Sequence, residues 1–76
     1  MPMTKAEQKR IKALGLKVKE IRLGKGLTLK ELGNSIDTDF QSIYRLEQGK
    51  VNPSVLFLFK ICEGLDVTLS ELLKDF

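Results

Sequence analysis

Residues 39–50, DFQSIYRLEQGK, read as one short helix with an unusual outer face. Asp39 has the side chain of an N-cap, and Gly49 supplies the stop. Between them Ile43 and Leu46 are three apart and point into a core. Phe40, Gln41, Tyr44 and Arg45 point elsewhere. Two aromatic rings, an amide and a guanidinium therefore gather on the exposed side, which suits a surface that meets a partner.

The flanking sequence is punctuated in the same helical idiom. Thr4-x-x-Glu7, Thr28-x-x-Glu31 and Thr68-x-x-Glu71 are three capping boxes, each placed before an apolar pattern of helical period. After Thr4, Ile11, Leu14, Val18 and Ile21 form one apolar stripe among lysines. That helix stops near Leu23-Gly-Lys-Gly26, and Gly15 within it lowers propensity enough for its N-terminal part to fray. The second helix starts at Thr28, buries Leu32 and Ile36, and is broken by Asp37-Thr-Asp39. After the loop Lys50-Val-Asn-Pro53, a fourth helix opens at Pro53 and Ser54. Its run VLFLF has the length of a buried strand, but Val55, Leu58, Ile61, Cys62 and Leu65 keep helical spacing. Leu69, Leu72 and Leu73 belong to a fifth helix. The expected fold is all-α, five helices with short connections and no strand.

Seventy-six residues bound the chain to one domain, 1–76, near the lower limit for a core without covalent staples. The lone Cys62 forms no intrachain disulfide, and with no histidine the common zinc sites and Cys–His nucleophile pairs are excluded. No catalytic group, metal, cofactor or small-molecule ligand is expected. Without a signal-peptide pattern or an apolar run longer than five residues, the reading is a cytoplasmic protein with no membrane span. The net charge of +3 is unevenly placed. Residues 1–30 carry nine Lys/Arg against Glu7 and Glu20, a net of +7, and residues 31–76 carry four against eight acids, a net of −4. Such a split marks either a basic face for a polyanion or a merely solvated helix surface.

Two short helices joined tightly at Ile36-Asp-Thr-Asp39 make a helix-turn-helix over residues 28–48. In that arrangement the first helix crosses the DNA backbone, and the N-terminal half of the second reaches base edges in the major groove. Phe40, Gln41, Tyr44 and Arg45 occupy that half. The stretch from Gly26 to Leu73 resembles the helix-turn-helix domain of phage repressor and Cro proteins, the XRE family of bacterial regulators. The resemblance runs from about Leu16 to Leu73. Its most specific parts are Gly26-Leu-Thr28, Ile43-x-x-Leu-Glu-x-Gly49 and Asn52-Pro-Ser54.

The resemblance implies double-stranded DNA as partner, a homodimer on a palindromic operator, and a transcriptional role. It puts base contacts at Phe40, Gln41, Ser42, Tyr44 and Arg45. Phosphate contacts fall at Thr28, Lys30, Gln48, Lys50 and Asn52, and a buried ion pair at Arg22 and Glu47. The chain departs from the family's pattern at three positions: Leu29 where a glutamine is common, Asp37 where the turn usually has glycine, and Gly33 where alanine is usual.

Some side chains keep two readings. Arg45 either forks onto guanine or pairs with Asp39 or Glu47, and Phe40 meets either a thymine methyl or Tyr44 one turn on. Lys5, Lys9, Arg10 and Lys12 are phosphate contacts or, for most of them, solvated decoration. Leu56 and Phe57 point away from the fourth helix's stripe and mark a dimer interface, unless Phe57 folds back on the fifth helix. The rival to a DNA-binding regulator is a protein-interaction or antitoxin-type module on the same fold.

Overall fold

The computed structural model describes residues 2–76, and every regular element among them is a helix. In order they are α1 (Lys5–Gly24), α2 (Leu29–Ser35), α3 (Phe40–Glu47), α4 (Val55–Leu65) and α5 (Leu69–Leu72). All three capping boxes form: each threonine hydroxyl accepts from the N–H three residues on, while the glutamate accepts from the threonine's own N–H. The threonine N–H, and less so the nearby threonine hydroxyl, hold the Glu7 and Glu31 carboxyls below their usual range. Asp39 and Ser54 cap α3 and α4 alone.

Each helix contributes one stripe to a single core. Leu14 and Val18 come from α1, Leu32 from α2, Ile43 and Leu46 from α3, with Leu58, Ile61, Cys62 and Leu65 from α4 and Leu72 from α5. Ile21, Ile36, Leu69 and Leu73 are half-buried and pack against its edges, whereas Ile11, expected on the same stripe, is half-buried beside Arg10 and Asn52. Cys62 is a small buried hydrophobe, and burial pushes its thiol pKa up. Val55 departs from the expected stripe: it is 62% exposed. As the first residue of α4 it lies a turn ahead of Leu58, where the helix first meets the core.

Gly15 departs more instructively. The helix runs through it without interruption, and the glycine is buried where α1 crosses the end of α3. A Cβ at this position would overlap the Leu46 carbonyl oxygen and stand 2.7 Å from that of Glu47. A residue that weakens the helix locally is what allows two helices to touch. Gly26, with φ of +71°, ends α1 as expected, and the Leu27 N–H donates back to the Arg22 carbonyl at 3.1 Å.

Candidate nucleic-acid interface

The α2–α3 corner is built from four residues. Asp37 takes the left-handed conformation, φ +54°, that the turn requires, as aspartate does at moderate cost. The Thr38 N–H then donates to the Gly33 carbonyl at 2.9 Å, closing the end of α2. Gly33 has no room for a side chain, since a Cβ there would stand 2.7 Å from the Thr38 oxygen. Asp39 accepts from the Ser42 N–H at 2.8 Å and opens α3.

This corner presents the N-terminal half of α3 outward. Phe40, Gln41, Tyr44 and Arg45 are exposed, and with Leu29 and Lys50 they line one shallow groove. Neither aromatic ring is buried, so the groove carries apolar surface beside hydrogen-bonding groups. Glu47 is turned inward to Arg22, and no acidic side chain among the described residues forms an ion pair with Arg45. Asp39 lies near enough that its carboxyl is held low, chiefly by the Ser42 N–H, next by the Ser42 hydroxyl, and least by the Arg45 charge. The guanidinium fork is therefore open to a ligand.

Ser42 sits differently from its neighbours. It is half-buried, and its hydroxyl donates to Asp39 Oδ2 at 3.0 Å, adding a second bond to the cap. Leu29 is also half-buried, packed against the core. It is an apolar wall of the groove in the place where the family commonly has an amide.

The expected phosphate contacts lie in several different surroundings. Lys50 joins the α3 groove. Thr28 and Lys30 are exposed at the start of α2, with the Thr28 hydroxyl oxygen accepting from Glu31 N–H at 3.0 Å. Gln48 is half-buried and turned toward Lys12 and Lys19 of α1, whereas Asn52 shares a hollow with Arg10 and Ile11. Sequence patterning had no way to place α1 beside this loop, because helical period does not say which neighbour a basic residue meets.

Arg22 and Glu47 form a bidentate pair, 6% and 4% exposed. Arg22 Nε donates to Glu47 Oε2 at 2.7 Å and the second Arg22 nitrogen, Nη2, to Oε1 at 3.0 Å. The third nitrogen, Nη1, donates to the Leu27 carbonyl at 2.8 Å. The pair joins α1 to the end of α3 and so orients the helix that carries the exposed face.

On α4 the outward apolar residues are Val55, Leu56 and Phe59. Phe57 is half-buried and packs against the core, and it lines a hollow with Ser42, Val51 and Pro53. Its expected place on the exterior is thus taken by Phe59, one turn after Leu56.

The chain matches the helix-turn-helix family over residues 18–72. An uncharacterized HTH-type transcriptional regulator of Bacillus subtilis, YgzD, is 31% identical over 55 residues, 72% of this chain and 83% of that protein. Two solved structures share the fold closely. The clp gene regulator ClgR of Corynebacterium glutamicum superposes with a TM-score of 0.79 at 28% identity, covering 83% of this chain and 81% of that one. The restriction-modification controller protein C.AhdI of Aeromonas hydrophila gives 0.80 at 27% identity, covering 83% and 96%. With its capped corner, its outward α3 face and these relatives, the chain belongs to the XRE family of helix-turn-helix DNA-binding regulators.

Proposed function

We propose that two copies of this protein occupy a two-fold operator and regulate transcription by being there, without catalysis. The observation that carries the reading is the outer face of α3. Gln41 and Arg45 offer an amide and an unpaired fork for base edges, and Phe40 and Tyr44 offer apolar contact, all along the groove that ends at Lys50. Selecting bound sites from random duplexes tests it. The expected product is a palindrome with half-sites about one helical turn apart. Recovery of no preferred sequence would leave the reading without support.

Base contacts specify, whereas phosphate contacts position. Arg45→Ala should therefore lose about 1–3 kcal/mol on the selected site and relax preference at one base pair. Lys50→Ala should weaken operator and random DNA alike. Equal losses on both for Arg45→Ala would remove it from the reading role.

A short recognition helix reads few base pairs, so discrimination favours a pair of chains. Val55 and Leu56, 62% and 68% exposed, and Phe59 beside them form the apolar face that supports pairing through α4. Leu56→Asp with Phe59→Asp should give a folded monomer without cooperative operator binding, measured by sedimentation and titration. A wild-type protein that stays monomeric at high concentration, and binds one half-site as tightly as the palindrome, would overturn the dimer.

The same apolar face, with Leu29 in the groove, is what favours the rival protein-interaction module. Duplex binding that falls steeply with salt distinguishes the two, because only phosphate contacts release condensed counterions.

A further inference from the structure

We propose that Arg10 and Lys12, on the first half of α1, grip the DNA phosphate backbone together with Lys50 and Asn52. This rests on the DNA-binding reading above and enlarges its footprint. Residues 5–17 of α1 precede the segment that matches the family, so the family's pattern assigns them nothing. Yet they are placed against the loop that follows α3. Lys12 packs on Gly49, where a Cβ would stand 2.6 Å from the lysine's Cγ and 2.8 Å from its Cα. One residue further along the loop is Lys50, which borders the α3 groove. On the other side of the half-buried Ile11, Arg10 shares a hollow with Asn52.

Two cations thus flank one loop, and the charges around them are not used up internally. Neither Arg10 nor Lys12 forms an ion pair among the described residues; on α1 only Lys17 and Arg22 do, with Asp75 and Glu47. Glu7 also borders the Arg10 hollow, but its carboxylate accepts from the Thr4 N–H at 2.7 Å as the helix cap. The backbone beneath is rigid, because α1 is unbroken from Lys5 and is held to α3 at Gly15. Unpaired cations on a continuous helix, beside an amide on a loop next to the reading helix, suit a repeating phosphodiester. They carry no feature that would read bases.

The test is the salt dependence of binding to the selected operator and to random duplex. Each phosphate contact contributes about 0.9 to the slope of log K against log salt. Arg10→Gln with Lys12→Gln should flatten that slope by about 1.8 on both DNAs. Lys74→Gln, after α5, serves as a charge control and should leave the slope within error. Circular dichroism and melting of the double variant should match wild type. If wild type binds duplex and the double variant keeps its full slope, the inference fails while the regulator reading stands. An equal loss per charge from Lys74→Gln would also overturn it, by showing a general charge effect. If wild type binds no duplex, the regulator reading itself fails.

Discussion

Glu47→Gln should lower the melting temperature by at least about 12 °C, taking a loss of 3 kcal/mol and roughly 4 °C per kcal/mol for a domain of this size. The substitution keeps shape and removes one charge, so what it leaves is a buried Arg22 without a counter-ion. Breaking one partner of such a pair costs about 3–5 kcal/mol. A chain this long has a total stability of only about 4–11 kcal/mol at ordinary values per residue. One near-isosteric substitution therefore removes a large share of the fold's margin. The geometry supports the upper part of the range, since all three guanidinium nitrogens are engaged and no buried side-chain polar atom among the described residues lacks a partner.

The companion experiment separates breaking a pair from lacking one. Replacing both members by apolar residues of similar volume, Arg22→Met with Glu47→Leu, removes the attraction and the desolvation cost together. That double variant should melt well above Glu47→Gln and near wild type. If Glu47→Gln melts with wild type, the pair contributes nothing to holding α1 on α3. If the double variant is as unstable as the single one, the loss comes from packing and not from an orphaned charge.

The parts of this protein that were legible in its sequence are those governed by local rules. A capping box is a four-residue event, so Thr4, Thr28 and Thr68 announced three helix starts correctly, and the stops at Gly26 and Gly49 follow from φ alone. The core stripe of α1 was readable because period 3.6 is a property of one helix. Illegible features all depended on which element lies against which. Val55 obeys the α4 period but precedes the core that the period implies. Phe57, expected on the exterior, is drawn half inward against the core, and Phe59 is the aromatic of α4 that stays exposed. Arg10 and Lys12 were indistinguishable from Lys5 and Lys9 until α1 was set beside the loop after α3.

Gly15 turns the same contrast into a measurable sign. Judged by propensity, Gly→Ala inside a helix stabilises by about 1 kcal/mol, and it also reduces the freedom of the unfolded chain. Judged by packing, the new Cβ collides with two backbone carbonyls, which cannot rotate away as a flexible side chain could. Helix α1 must then move off α3, loosening the buried Val18–Ile43–Leu46 region and the Arg22–Glu47 pair together. Overpacking of this kind costs about 1–3 kcal/mol, enough to outweigh the propensity gain. Gly15→Ala should therefore lower the melting temperature, and Gly15→Val should lower it further. Gly24→Ala on the same helix is the control, because nothing stands within 4 Å of a Cβ there. It should be neutral or slightly stabilising. Displacing α3 also moves the groove, so Gly15→Ala should weaken operator binding at temperatures where the protein is still folded. A Gly15→Ala protein that melts with or above wild type would show that the helices can separate freely at this point, and the close crossing would lose its role in orienting α3.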